Sequence, residues 1–314
     1  MMERANSRES GEFDHTPVML AEILELVSDT PSGVYADLTL GGAGHAAAVL
    51  DARPDLTLHG FDQDPVALSA ASTRLANHEH VTLHDTRFDQ AARLLVDGGV
   101  ASVSAFLMDL GVSSPQLDVG ERGFSFRHDG PLDMRMDTRQ SLTAADIVNS
   151  YEPGELVDVL RSYGDERQAK RIVSAIVANR PFTSTAALAE TITDAMPAAV
   201  RRTSTVHPAT KTFQALRIEV NDELAILGST LDSMISLLAP GGVGLVLTYH
   251  SGEDRIVKDR MRTAIDGDAL PGMPSSSGFS WTFRGARSPS EVEVEQNPRS
   301  RSARLRSIRR SADG

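Results

Sequence analysis

The chain predicts an α/β fold in which a doubly wound, mostly parallel sheet is interrupted by a helical insertion. Three observations lead there. Short apolar runs alternate with helical patterns through the first third, the rhythm of parallel strands joined by crossover helices. Most of these runs end in an acid or a glycine turn. After Gly111 the rhythm changes to a long turn-rich stretch and then to successive helices, before one more buried strand appears at 242–249.

The early strands are placed at 34–38, 56–61, 80–84 and 103–109, with helices at 16–28, 44–52, 65–76 and 88–97. The fourth strand, VSAFLMDL, is almost wholly apolar, as a strand covered on both faces must be. Helical patterns follow at 153–162, 164–179 and 185–195, the last two separated by Pro181. A longer one covers 210–238, with apolar residues at helical spacing, and stops at Ala239-Pro240-Gly241-Gly242. HSGEDRIVKDRMR starts another helix, and residues 264–280 read as a linker. ARLRSIRR alternates apolar and basic residues like a terminal strand with one buried face. The domains expected are 1–114 and 216–314, forming the sheet unit, with a helical unit at 115–215 between them.

At 314 residues and 40% apolar content, the chain can hold a large domain with a sizeable insertion. It has no cysteine, which excludes disulfides and thiolate metal sites and suits the cytoplasm. No apolar run is long enough to span a membrane, and the polar start does not read as a signal peptide. A net charge of −12 argues against loose nucleic-acid binding, although six arginines crowd the stretch from Arg299 to Arg310 without an acid among them. Arg201, Arg202, Lys211 and Arg217 form a looser second basic group.

The strongest local signal is VYADLTLGGAGH at 34–45, followed by GFDQD at 60–64. A strand, a glycine turn (Gly41, Gly42, Ala43, Gly44), a helix, a second strand and an acid are how a doubly wound sheet holds an adenosine-containing cofactor. GGAG lacks the last glycine of GxGxxG, and Asp37 closes the first strand. A carboxylate there suits an ammonium group better than a pyrophosphate. S-adenosylmethionine is therefore the expected cofactor, and a nicotinamide dehydrogenase the alternative. Asp37 is assigned to the donor's ammonium and Asp62 to its ribose. Phe88 is assigned to the adenine face, with Asp109 and Gln116 at the base or the methionine part. No HxxxH or HExxH pair supports a metal, and no G-x-S-x-G elbow supports a serine nucleophile.

At this point the sequence resembles a known family, the small-subunit ribosomal RNA cytosine-N4 methyltransferases of the RsmH (MraW) type. The likeness runs through HTPVML (15–20), DLTLGGAGH (37–45), DQDP (62–65) and DLGVSSPQLDVGERGFSFRHDGPLDMRMD (109–137). It continues in YGDERQAKRIVSAIV (163–177), HPATKTFQALRIEVNDEL (207–224), LAPGG (238–242), HSGEDRIVK (250–258) and NPRSRSARLR (297–306). Two departures are Gly252, where the family commonly has leucine, and Tyr249, where it often has a hydrophobe.

The resemblance implies a class I, Rossmann-like methyltransferase fold with its substrate domain inserted after the fourth strand. It implies donor contacts at Ala43, Gly44, His45, Asp62, Phe88, Asp109 and Gln116, besides Asp37 and Gly41 read from the turn. It also implies methylation of a cytidine N4 amine in the decoding region of 16S rRNA. Candidates to hold and deprotonate that amine are Asp109 and the Ser113-Ser114-Pro115 turn, with His250 or Ser251 facing them. Phe124, Phe126 and Arg127 are candidates to stack on an unstacked base. Arginines of the insertion and tail, with Arg135, Lys211 and Arg217 among the basic candidates, would clamp the RNA. A non-catalytic RNA-binding assembly factor is the rival from another class. The partner expected is the small ribosomal subunit, with no membrane, and the chain is expected as a monomer or homodimer.

Overall fold

The computed structural model describes residues 17–203, 206–267 and 277–313. Seven strands form one sheet: β1 (Gly33–Asp37), β2 (Leu56–Asp62), β3 (Val81–Asp85), β4 (Val103–Asp109), β5 (Leu238–Thr248), β6 (Phe279–Trp281) and β7 (Arg304–Arg310). Their order is β3-β2-β1-β4-β5-β7-β6. The pairs from β3 to β5 are parallel, and β7 runs antiparallel to both β5 and β6. The chain winds outward from β1 to β3, then restarts at β4 on the other side of β1. That reversal opens a crevice above the carboxyl ends of β1 and β4.

Alternation along β4 shows why both faces are covered. Ala105 and Leu107 enter one core, with residues of α1 (Leu20–Ser28) and α2 (Gly44–Ala52). Phe106 and Met108 enter another, with α4 (Ala91–Asp97), α12 (Glu223–Ser236) and α13 (Ser251–Asp266). Successive side chains of a strand point to opposite faces, so an all-apolar strand needs a helix layer on each. Between α2 and α4 lies α3 (Pro65–Arg74), capped by the Asp64 carboxylate, which accepts from the Val66 N–H.

The buried residues of a third apolar core lie between Phe124 and Val220, with Val112 and Leu117 packed against it. After the short α5 (Ser114–Asp118) it gathers α6 (Ala144–Ser150), α7 (Pro153–Gly164), α8 (Ala169–Ala178), α9 (Thr185–Ala195), α10 (Ala198–Thr203) and α11 (Thr210–Asn221). Helix α8 starts at Ala169 rather than 164 because Asp165 turns left-handed, at φ 46°.

The continuous helix expected over 210–238 is corrected to two helices, α11 and α12, broken at Asp222 (φ 56°). Asn221 anchors the break. Its Oδ1 accepts from the Met136 N–H at 2.8 Å, and its Nδ2 donates to the Met134 and Arg217 carbonyls, each at 2.8 Å. Of the linker expected at 264–280, residues 268–276 lie outside the described residues; 264–266 close α13 and 279–281 form β6. Residue 16, the expected start of the first helix, also lies outside them. Among the described residues no helix is long and apolar enough to cross a membrane.

Candidate active site at the carboxyl ends of the central strands

A cavity of about 410 Å³ fills the crevice and reaches from the glycine turn to the last helix of the insertion. Of the residues singled out in the sequence, Gly41, Gly42, Gly44, His45, Asp62, Phe88, Asp109, Ser113, Gln116, Arg217 and Arg299 line it. Asp37, Ala43, His250, Phe124, Phe126, Arg127, Arg135 and Lys211 do not.

The turn after β1 is built around Asp62. Gly41, at φ 52°, directs its N–H to Asp62 Oδ2 at 2.8 Å, and the Asp64 N–H reaches Oδ1 at 2.9 Å. Burial pushes the Asp62 carboxyl up to about 6, against the pull of these two donors. The glycine N–H that would cradle a phosphate is thus already taken by an acid. A pyrophosphate is poorly received on such a wall, and hydroxyls or a cation are well received.

Asp37 lies below that wall. It is buried, accepting from the Thr39 N–H at 3.2 Å and the Tyr35 hydroxyl at 3.3 Å, and burial pushes its carboxyl up to about 7. The direct ammonium contact expected of Asp37 is therefore corrected to a buried position under the site. Ala43 is also covered; it takes a left-handed φ of 60° as the residue before α2 and sends its N–H to the Leu40 carbonyl. It sets the turn rather than the wall.

Asp109, at the end of β4, is held by two hydrogen bonds and lies near His45. Its N–H donates to Thr39 Oγ1 at 2.6 Å, its Oδ1 accepts from the Tyr249 hydroxyl at 2.7 Å, and its Oδ2 lies 3.7 Å from His45 Nδ1. His45 Nε2 faces the Val18 carbonyl at 2.9 Å; a carbonyl only accepts, so Nε2 carries the ring proton. Gln116 is buried, with its Oε1 accepting from the Ser113 N–H at 3.0 Å and its Nε2 donating to Asp64 Oδ2 at 3.0 Å. Arg122 Nη1 donates to that same Asp64 oxygen at 2.9 Å. The Ser113 loop is thereby tied to the start of α3. The side chains of Ser114 and Pro115 lie outside the described residues.

His250 does not line the cavity, which corrects its expected catalytic position. It caps α13: Nδ1 accepts from the Gly252 N–H at 3.2 Å, and Nε2 lies 3.1 Å from Glu253 Oε1. Glu253 lines the cavity instead, its Oε2 accepting from the Tyr249 and His250 N–H groups at 2.7 and 3.2 Å. Burial works to raise this carboxyl, but His250, Arg217 and the Tyr249 N–H hold it below its ordinary value.

The aromatic and basic candidates are mostly employed elsewhere. Phe124 is buried in the insertion core, and Phe126 packs against His207 and Phe213. Arg135 is bonded to Asp133 and to the Thr138 and Gln140 carbonyls, and Lys211 Nζ reaches the Asp165 carbonyl. Arg127 is exposed. In the tail, Arg306 grips Asp254 with two bonds, Arg309 donates to the Gly241 and Leu26 carbonyls, and Arg310 donates to that of Leu238. These three are corrected from an RNA clamp to a fastening of β7.

Tyr249 and Glu253 were not assigned a role at the site from the sequence. For Glu253 a signal exists: it stands three residues after His250, the spacing of a capping box.

A family model, the MraW methylase family, matches residues 12–311. The ribosomal RNA small subunit methyltransferase H of Geobacter sulfurreducens is 47% identical over 94% of this chain and 98% of its own. That of Thermobifida fusca is 46% identical over 95% of this chain and 94% of its own. Among solved structures, an rRNA methylase from Streptococcus thermophilus aligns with 92% of this chain and 95% of its own at a TM-score of 0.41 and 10% identity. With one family model spanning sheet and insertion alike, and relatives near half identity over almost the whole length, the chain belongs to the MraW methylase family.

Proposed function

We propose that the chain is an S-adenosylmethionine-dependent methyltransferase that methylates the N4 amine of a cytidine in the decoding region of 16S rRNA. The observation that carries this reading is the acid-lined cavity, with Asp62 and Asp109 facing it at the ends of two strands, in a member of a methylase family. Asp62 suits ribose hydroxyls, which donate to a carboxylate. Phe88 offers an apolar wall for adenine, and Gly41, Gly44, His45 and Gln116 complete the donor side. Asp37 and Ala43 support that side from beneath.

When bound, the donor supplies an electrophilic methyl group on a positively charged sulfur. The chain's own task is to hold the acceptor amine, whose lone pair is drawn into the ring. Asp109 takes this role: it accepts a hydrogen bond from N4–H and so keeps the nitrogen in line for attack. Tyr249 fixes the carboxylate through its hydroxyl. Orientation of this kind lowers a barrier by about 7–11 kcal/mol where the geometry is good. Ser113 and Arg217 line the same cavity.

The helical unit expected at 115–215, whose core runs on through α11 to Val220, is proposed as the RNA-facing part. Arg127 is its exposed candidate, with Phe126, Arg135 and Lys211 at its surface and Phe124 in its core. The small ribosomal subunit is the proposed partner, in the cytoplasm, with the chain acting as a monomer or homodimer.

Incubation of unmodified small subunits with the protein and methyl-labelled donor tests the reading. Nucleoside analysis should place the label in N4-methylcytidine of 16S rRNA, and Asp109→Ala should abolish it. Label in another nucleoside, or undiminished labelling by the variant, would overturn it.

A further inference from the structure

Arg217 comes from the insertion's last helix, α11, yet its side chain reaches into the cavity and is nearly buried there. Nε and Nη2 donate to the two oxygens of Glu223 at 2.8 and 3.0 Å, and Nη2 lies 3.9 Å from Glu253 Oε1. Burial opposes the guanidinium charge, but Glu223 and Glu253 outweigh it, so the group stays cationic. Its remaining nitrogen, Nη1, has no hydrogen-bond partner among the described residues.

Gly111 locates that nitrogen. The glycine takes φ +99°, and a Cβ built on it would stand 3.9 Å from Arg217 Nη1 and 3.6 Å from Cδ2 of Tyr249. Tyr249 in turn carries Asp109 on its hydroxyl. A donor with hydrogens to give thus stands beside the same glycine as the tyrosine that holds a carboxylate acceptor.

Cytosine presents N4–H as a donor and, next to it, N3 as an acceptor; uracil presents the reverse, O4 as acceptor and N3–H as donor. An acceptor beside a donor fits cytosine at both atoms. With uracil both contacts become like against like, and a buried guanidinium N–H is left facing another N–H.

We propose that Arg217 reads the target base: its Nη1 donates to cytosine N3 while Asp109 holds the N4 amine. Glu223 and Glu253 keep the guanidinium in plane and charged, so the cation is in place before the base enters. This assignment rests on the cytidine-N4 reading above and names the residue that gives it base specificity.

The test is a two-by-two kinetic cycle on small subunits assembled with either cytidine or 3-deazacytidine at the target, the latter replacing N3 by C–H. Wild-type kcat/KM should fall at least tenfold on the deaza subunit. Arg217→Gln should lose at least tenfold on the cytidine subunit and then show no further loss beyond twofold on the deaza one. Donor affinity, measured by calorimetry, should stay within threefold. Arg217→Met, of similar length and with no donor for N3, carries the same cycle should the glutamine variant not fold. A full deaza penalty in the variants, or normal turnover on cytidine, would overturn the assignment. Failure of the wild type to methylate the cytidine subunit at all would instead overturn the underlying function.

Discussion

The hydroxyl of Tyr249 donates to Asp109 Oδ1 at 2.7 Å, joining the end of β5 to the end of β4 directly above the sheet. Two neighbouring strands thereby fix one carboxylate, which is the group proposed to hold the acceptor amine. Tyr249→Phe removes the bond and keeps the ring. A hydrogen bond to a charged group contributes about 1.5–3 kcal/mol, or roughly ten- to a hundredfold. The expected outcome is a kcat lower by at least about tenfold with donor KM changed less than threefold, read by steady-state methyl transfer.

Asp62 sets the acid limit of donor binding. Its carboxyl sits at about 6 in the unliganded chain, and only the ionised form accepts from both ribose hydroxyls. Donor affinity should therefore be full above pH 7 and fall as pH drops through about 6, approaching tenfold per unit. Calorimetry across pH 5–8 checks this. In Asp62→Asn the affinity should be weaker and flat over that range.

Asp37 is a stability switch of the opposite sign to a salt-bridged acid. Its carboxyl rises from an ordinary 3.8 to about 7 on folding, so the native chain holds a proton that the unfolded chain releases. The stabilisation is complete below about pH 4 and is lost as pH rises through about 7, at most about 4 kcal/mol for a shift of three units. Asp37→Asn keeps a neutral group at that position. Its melting temperature should fall less than that of the wild type between pH 5 and 8, as followed by thermal unfolding.

The tail arginines should behave as structure. Arg306 is nearly buried and makes two bonds to Asp254, so Arg306→Gln leaves a partly buried carboxylate unpaired. Breaking such a pair costs about 3–5 kcal/mol. Chemical denaturation should show a loss of about that size, with KM for the small subunit unchanged. A raised KM with normal stability would restore the clamp.

Much of this was legible because local physics wrote it into the chain. A strand covered on both faces must be apolar throughout, and VSAFLMD is; a turn that brings a backbone close to a ligand needs glycine, and Gly41 takes it. The break at Asp222 was hidden because the apolar spacing of α11 continues in phase through α12, while its cause, the Asn221 carboxamide bonding to 134 and 136, is remote in sequence. The tail misled for the same reason. Arginines without neighbouring acids look free, but Arg309 and Arg310 find carbonyls at Leu26, Gly241 and Leu238. Asp37 was placed at the right strand end but on the wrong side of the wall, because a strand's last residue can point above or below the sheet. Arg217, drawn into a basic group by composition, is set apart from it by Glu223 and Glu253.

The central claim is that one cavity binds the methyl donor through acids at the strand ends. Calorimetric titration of S-adenosylmethionine into the wild type, Asp62→Ala and Asp109→Ala measures it most directly. The account predicts one site per chain in the wild type, at least tenfold weaker binding in Asp62→Ala, and affinity within threefold of the wild type in Asp109→Ala. Equal affinity in all three proteins would contradict it.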